Sequence, residues 1–264
     1  MILASFLSEW VKLKRKTLLL STFLGLAAAS ALFVVLIFSN APTHGTGGGL
    51  PSLQQLARPN GLVFGLTRAT FLLGVVAFGT AAAQTASEYS LGTLRQLLVR
   101  QPRRATLLAG KMIAVVTFMM LATAFAAVVA FLVANAMAQS RGVSTSAWFT
   151  GAGLGDLFNA LGNIELAVIG YSILGLVIGQ FLRSAVAAVI VGFAWLLVIE
   201  QFILTRIVPG AAPWLPGISL STIAGGGNTD FGITYGHGLI VAVVYIAVAI
   251  AAASITFARR DVTA

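Results

Sequence analysis

Six long runs of apolar residues, separated by short polar or charged segments, dominate the sequence. Each run has about the 20 residues that an α-helix needs to cross the hydrocarbon core of a bilayer. We therefore predict an all-α, polytopic membrane protein with six transmembrane helices. The predicted spans cover about 18–39, 62–87, 112–138, 158–182, 184–206 and 237–258.

The first 16 residues have the periodicity of an amphipathic helix instead. Apolar side chains recur every three or four residues on one face, and the other face is polar and basic. A helix of this kind suits the membrane interface, and a solvated cytosolic tail is the alternative. The residues of this predicted interface helix are Trp10, Lys12, Lys14, Arg15 and Lys16, with Leu3, Phe6, Leu7 and Leu13 on the apolar face and Ser5, Ser8 and Glu9 on the polar face.

The composition excludes the main alternatives to a membrane protein. Hydrophobic residues make up 58% of the chain and charged residues only 9%, against about 25% charged residues in an average soluble domain. Too few charges remain to cover a soluble domain of 264 residues, and the apolar content is too high for disorder. The absence of cysteine excludes disulfides and thiolate metal sites.

The positions of the basic residues predict the orientation of the chain. The net charge is +9, with 16 Lys and Arg residues. With a cytosolic N-terminus, only Arg58, Arg68, Arg141 and Arg206 fall on the outer side, which leaves 12 of the 16 facing the cytosol. This bias predicts that both termini are cytosolic and that the charge serves topology rather than nucleic-acid binding.

The predicted organisation is one membrane domain with a few distinct segments. It comprises an interface helix at 1–16 and a six-helix domain at 17–261. A cytosolic loop lies at 88–111, and an external segment rich in proline and glycine lies at 208–236. We expect that external segment to form short re-entrant helices.

No catalytic motif is present in the sequence. Gly110-Lys111 is followed by Met112 rather than Ser or Thr, and Ala105 replaces the first glycine of a phosphate-binding loop. There is no H-E-x-x-H motif, and His44 and His237 are far apart in the sequence. We therefore expect neither an enzyme nor a cofactor bound to this chain.

Two acidic residues fall inside predicted spans. Glu165 is 18 residues before Arg183 and Glu200 is 17 residues after it. Straight helices would place both carboxylates about 25–27 Å from that cytosolic turn, near the outer edge of the bilayer core. One interpretation is a pair of carboxylates at the outer interface, near Arg206. The other is an outer gate or substrate contact formed by Glu165, Glu200 and Arg206.

The polar segment 88–111 carries the most specific pattern. Gly92 and Pro102 bracket a short amphipathic helix with a leucine stripe and basic flanks. Such a helix suits a groove on a soluble partner, and contact with anionic lipid is the alternative. We expect Glu88, just before this helix, to pair with a basic group of the N-terminal helix or of the partner.

The segment 88–111 resembles the cytosolic loop of ABC-2 family permeases, the membrane subunits of ABC exporters. The basic N-terminal helix and the turn at Arg183 are also similar to parts of that family. The matching residues of the loop are Glu88, Gly92, Thr93, Leu94, Arg95, Leu97, Leu98, Pro102, Arg103, Arg104 and Lys111.

The resemblance implies a permease in the plasma membrane of a bacterium or archaeon. A second permease copy, identical or a sister chain, and two copies of a cytosolic ABC ATPase would complete the exporter, with ATP and Mg on the ATPase. Arg183 and Ser184 would form a second cytosolic contact, and membrane lipid would surround the spans. The residues implied in ATPase coupling are Glu88, Gly92, Thr93, Leu94, Arg95, Leu97, Leu98, Arg100, Pro102, Arg103 and Arg104.

Two other functions remain open from the residues alone. One is a secondary carrier or channel for a hydrophobic or amphipathic solute, and the other is a membrane scaffold without transport activity. The generic Leu, Val, Ala and Phe side chains of the spans select no particular substrate.

Overall fold

The computed structural model of the chain describes residues 2–43, 50–93, 103–228 and 230–259. Within these ranges the protein is almost entirely helical, and the only extended pairing is an isolated bridge between Asn228 and Ile233. The all-α fold is thus confirmed. The helix predicted at 93–100 lies, apart from Thr93, outside the described residues.

Ten α-helices can be followed through the described parts of the chain. They are α1 (Ile2–Leu13), α2 (Lys16–Asn40), α3 (Leu53–Leu56), α4 (Phe64–Ser90), α5 (Arg104–Ser140), α6 (Gly151–Leu182), α7 (Ala185–Phe193), α8 (Thr205–Ile207), α9 (Pro216–Gly225) and α10 (Tyr235–Arg259).

Six helical stretches are long and apolar enough to cross a membrane, as the sequence predicts. Some extend beyond the predicted spans. The third begins at Arg104 rather than near residue 112 and contains 37 residues. At 1.5 Å per residue it is about 55 Å long, well beyond a hydrocarbon core of about 30 Å. A helix of this length must therefore tilt within the bilayer or project from it.

Helix α4 lies at the centre of the bundle and packs most extensively against α6. Two glycines of α6 make the close approach possible. A Cβ atom on Gly175 would lie 2.2 Å from the carbonyl oxygen of Phe78, and one on Gly179 would lie 2.4 Å from that of Ala82. The small-residue spacing thus lets two backbones touch, as expected for packing between membrane helices.

The fifth span is not a regular α-helix. After α7, residues Ala194–Leu204 form a π-helix, which is rare and usually confined to a single turn. The chain then turns back through a 3₁₀ helix at Pro209–Trp214 into α9. The short helices predicted within 208–236 are therefore present, and α9 is buried against α6 and α10.

Helix α1 turns its polar face toward the protein. Ser5 and Glu9 are only 1% and 4% exposed, whereas Leu3 and Leu7 are 67% and 51% exposed. The contact is possible because Gly110 of α5 has no side chain where Ser5 approaches. The amphipathic helix is present over Ile2–Leu13, and Glu9 on its polar face belongs to a buried ionic group.

Candidate functional site

Four charged side chains meet where α1, the end of α4 and the beginning of α5 converge. We call Glu9, Lys12, Glu88 and Lys111 the charge cluster. Lys12 Nζ lies 2.6 Å from Glu9 Oε1 and 2.8 Å from Glu88 Oε1. Lys111 Nζ donates a hydrogen bond to Glu88 Oε2 and lies 3.7 Å from Glu9 Oε2. The expected pairing of Glu88 with the N-terminal helix is confirmed.

The charge cluster is buried and internally neutral. The side chains of Glu9, Glu88 and Lys111 are 5%, 8% and 7% exposed, and that of Lys12 is 25% exposed. Two carboxylates and two ammonium groups cancel formally, which offsets the cost of removing each from water. Burial lowers the pKa of Lys12, but Glu88 and Glu9 more than compensate, so its pKa is raised above 10.5.

The charge cluster fixes both ends of the loop that joins α4 to α5. Glu88 precedes the last residue of α4, Ser90, by two positions, and Lys111 lies in the second turn of α5. One ion pair therefore holds together the two helix ends between which the loop runs. Lys12 extends the same ionic contacts to α1 through its hydrogen bond to Glu88.

The described loop residues outside the charge cluster lie at the end of α4 and the beginning of α5. Gly92 has a φ of 67°, a left-handed conformation that glycine adopts readily. Thr93 Oγ1 donates a hydrogen bond to the carbonyl oxygen of Glu88 over 3.4 Å. Arg104 Nη1 donates one to the carbonyl oxygen of Phe257 over 2.8 Å, which joins α5 to the end of α10. Arg103 precedes α5, and outside the described residues lie Leu94, Arg95, Leu97, Leu98, Arg100 and Pro102.

The turn at Arg183 lies beside the same end of α4. Arg183 has a φ of 54° and ends α6, and Ser184 accepts a hydrogen bond from the backbone of Ala187 at the start of α7. The Arg183 guanidinium lies 5.7 Å from the centre of the Tyr89 ring. The end of α4 and the turn at Arg183, the two segments for which the family resemblance implies ATPase contacts, are therefore neighbours in the fold.

Aromatic contacts hold the interface helix in place. Trp10 stacks on Phe6 at 5.5 Å between ring centres and meets the edge of Phe118 of α5 at 6.4 Å. Lys14 Nζ lies 5.6 Å from the Trp10 ring. Lys12 alone among the basic residues of this helix enters the charge cluster, whereas Lys14, Arg15 and Lys16 are exposed.

A second buried carboxylate lies at the opposite end of α4, in the π-helix of the fifth span. Glu200 is fully buried, and its Oε2 accepts hydrogen bonds from the backbone N–H groups of Gly217 at 2.8 Å and Ile218 at 3.2 Å. Its Oε1 accepts one from Trp195 Nε1. Glu200 therefore caps α9, where the helix dipole favours a negative charge.

The first turn of α9 is held from a second side. Tyr171 of α6 donates a hydrogen bond from its hydroxyl to the carbonyl oxygen of Gly217 over 2.8 Å. Gly217 is also required for close approach, because a Cβ atom there would lie 2.6 Å from Glu200 Oε2. Glu200 and Tyr171 thus fasten α9 to two different spans.

The two interpretations of Glu165, Glu200 and Arg206 drawn from the sequence stay predictions, but the structure shows Glu200 inside the protein rather than paired with Arg206. Glu200 is buried against α9 because the π-helix and the returning chain enclose it. Arg206 is exposed and is not its partner. Glu165 does not join Glu200, and its Oε2 atom is buried without a hydrogen-bond partner in the described structure.

Several residues of these two sites are missed by sequence reasoning. The sequence indicates Lys111 only as part of the family pattern and Glu9 only as part of a polar helix face. Pro216 marks the start of α9, since proline is favoured in the first helical turn. No sequence signal places Trp195, Tyr171 or Gly217 beside Glu200. Within the described residues, no three side chains of metal-ligating type lie together.

Comparison with known proteins gives a family but no activity. The model of a family described as "Protein of unknown function (DUF2705)" matches residues 52–263, which is most of the chain and includes α4, both ends of the loop and Glu200. No curated protein matches the sequence significantly. By the extent of that match, the chain belongs to the DUF2705 family.

Proposed function

We propose that the chain is the permease subunit of an ATP-driven ABC export complex in a bacterial or archaeal plasma membrane. In this proposal it forms the translocation path together with a second permease, and two cytosolic ABC ATPases bind below. The loop 88–111 receives the movement of the ATPases, and hydrolysis takes place on those partners. The charge cluster is the observation that carries the proposal.

The charge cluster has the properties that mechanical coupling requires. A loop that moves independently of its helices would transmit no force, whereas Glu88 and Lys111 tie its two ends together. Lys12 extends the same ionic contacts to α1, so that three elements move as one unit. Buried ion pairs also resist rearrangement, because removing one partner leaves an uncompensated charge.

The position of Arg183 supports the same function. Its contact with Tyr89 places the turn between α6 and α7 beside the end of α4. A partner that binds the loop at 91–103 therefore also reaches the second turn. Two adjacent contacts on one face suit a soluble subunit better than a single helix lying on lipid.

A secondary carrier is the second candidate function, and Glu165 is the observation that favours it. Its Oε2 atom is buried and has no hydrogen-bond partner among the described residues. Ionisable groups inside membrane spans commonly mark ion pathways in carriers. A carrier of this kind would move its solute on an ion gradient without ATP.

Complex formation tests the proposal against this alternative. The full chain is co-expressed with an ABC ATPase whose gene lies beside the gene of this chain. The complex is purified through a tag on the chain. We expect equal numbers of permease and ATPase chains. We further expect Arg95→Ala, in the centre of the loop, to reduce the recovered ATPase several-fold, whereas Arg141→Ala on the opposite side leaves it unchanged.

Two results would count against the permease. One is the absence of any ATPase from the purified complex while the chain itself elutes as a folded species. The other is solute flux in proteoliposomes that depends on a proton or sodium gradient and is abolished by Glu165→Gln, which is the result expected for a secondary carrier.

A further inference from the structure

A cavity of about 680 Å³ lies between the first turns of α4, the π-helix and the end of α9. We call it the outer cavity. Its volume falls within the range of about 300–1,000 Å³ that is usual for small-molecule sites. Arg68 lies 20 residues before Glu88 on α4, so these two residues are about 30 Å apart along the helix axis. The outer cavity is therefore far from the charge cluster.

The lining of the outer cavity combines two opposite charges with aromatic surface. Arg68 projects from α4, and Asp230 follows the turn after α9. Within the described residues, neither side chain forms an ion pair. Gln201 of the π-helix adds an amide to the lining, and Phe64, Phe71 and Phe202 supply the apolar part of the wall.

We propose that the outer cavity binds an amphiphile whose head group carries both an anionic and a cationic group. The Arg68 guanidinium matches a phosphate or carboxylate, to which it can donate two parallel hydrogen bonds. The Asp230 carboxylate attracts an ammonium group. The phenylalanine rings accommodate the apolar part of the molecule next to its head group.

Other classes of ligand fit the outer cavity less well. A purely anionic head group gains from Arg68 but meets the like charge of Asp230, and a purely cationic one has the reverse problem. A neutral solute leaves both charges without a partner. A free zwitterion without an apolar part satisfies the charges but leaves the aromatic wall in contact with water.

Glu200 positions one wall of this site. It fastens the start of α9 to the π-helix, and that helix carries Gln201 and Phe202 into the cavity. Ser221 lines the cavity from α9 itself. The carboxylate is therefore a positioning residue rather than a ligand contact, since its own oxygens are occupied by N–H donors.

The claim that the chain exports this amphiphile rests on the proposed function. The claim that the chain binds it does not. Binding is therefore measured on the purified full chain without any ATPase. Native mass spectrometry of the protein in detergent is used with three probes, which are lysophosphatidylcholine, lysophosphatidylglycerol and free phosphocholine. The first is a zwitterionic amphiphile, the second an anionic one, and the third the zwitterionic head group alone.

We expect wild-type protein to bind lysophosphatidylcholine about tenfold more tightly than either other probe, the effect of one well-placed charged contact. Arg68→Gln weakens the binding of both lysolipids about tenfold. Asp230→Asn weakens only lysophosphatidylcholine and so removes the preference. The matched controls Arg206→Gln and Asp156→Asn, which alter charges outside the cavity lining, leave all three affinities within about twofold.

Equal binding of the two lysolipids by wild-type protein would refute the inference, and so would wild-type affinity for lysophosphatidylcholine in both the Arg68→Gln and the Asp230→Asn variant. Tight binding of free phosphocholine would replace the amphiphile with a soluble zwitterion. Loss of binding together with a shifted elution volume is resolved by Arg68→Lys, which keeps the charge and is expected to retain the preference. A complex that lacks an ATPase but still shows the predicted selectivity refutes only the permease.

Discussion

The molecule buries a carboxylate at each end of its central helix, and it stabilises the two in different ways. Glu88 is neutralised by two ammonium groups from two other helices. Glu200 forms no ion pair with any of the described residues and is held by two backbone N–H groups and an indole. The first arrangement joins three elements through long side chains, and the second fixes one short helix in place.

We infer from this difference that the two carboxylates have different roles. Ion pairs between long side chains can follow a moving backbone while they remain intact, which suits the end at which we propose that force enters. Backbone donors at a helix start demand one fixed geometry, which suits the wall of a binding site. We therefore expect substitutions in the charge cluster to act by unbalancing buried charge. We expect substitutions at Glu200 to act by changing the position of α9.

The largest effect is expected from removing one cation of the charge cluster. Lys111→Met leaves Glu88 and Glu9 close together with only Lys12 as their partner, and a buried unpaired charge costs about 3–5 kcal/mol. Thermal unfolding of the detergent-solubilised protein measures the change in stability. Lys16→Met, which removes an exposed lysine, is the control and is expected to shift stability by less than about 0.5 kcal/mol.

The double variant Glu88→Gln/Lys111→Met shows whether charge balance is the cause. If it is, the double variant is more stable than Lys111→Met alone, because the stranded carboxylate is gone. If the two changes simply add, Lys111 acts by packing and the account of the charge cluster fails.

A smaller effect is expected at the outer end. Glu200→Gln places an amide NH₂ where one oxygen accepted an N–H donor, at a cost of about 1–3 kcal/mol. The chain has no cysteine, so Ser221→Cys introduces one unique thiol on α9. We expect maleimide to label it several-fold faster in the Glu200→Gln background, because α9 is released. Glu165→Gln is the matched control and should leave the labelling rate unchanged.

A variant that changes packing without changing charge tests the close contact between α4 and α6. Gly175→Ala brings a Cβ atom to within 2.2 Å of the Phe78 carbonyl oxygen, and overpacking of this kind costs about 1–3 kcal/mol. Gly162→Ala on the same helix meets nothing within 4 Å and should be neutral or slightly stabilising. Equal melting temperatures of the two variants would show that α4 and α6 do not approach closely.

The smallest effect concerns pH and is specific to the charge cluster. The pKa of Lys12 is raised in the folded protein, so its stabilising contribution is complete below about 10.5 and is lost as pH rises through the higher folded value. We expect wild-type protein to lose stability more steeply than Lys12→Met over that alkaline range. Parallel melting curves for the two proteins would contradict a charged role for Lys12.

The sequence predicts the six spans well because each is a long apolar run with at most two charged residues. It also predicts that Glu88 pairs with a basic group of the N-terminal helix or of a partner. The first helix is rich in basic residues and is predicted to lie on the same side of the membrane as the loop. It does not identify Lys111 or Glu9 as members of a buried group. Their contacts depend on how helices separated by many residues rotate against each other, and hydropathy carries no information on rotation.

The environment of Glu200 could not be predicted for a related reason. The estimate of its depth assumes a straight helix, but the fifth span becomes a π-helix from Ala194. The chain then returns, so that Gly217 meets a residue 17 positions earlier. The prolines and glycines of the returning chain predict a turn. Tertiary packing decides which helix the returning chain contacts, and the sequence pattern does not show this.

The most direct test of coupling is the rate of ATP hydrolysis by the co-purified ATPase in nanodiscs, compared between wild-type permease and Glu88→Gln. We predict that both permeases recover the ATPase in equal amounts, and that the wild-type protein changes its hydrolysis rate several-fold relative to the ATPase alone. Glu88→Gln should lose most of that change. An equal change in both complexes would contradict the role assigned to the charge cluster.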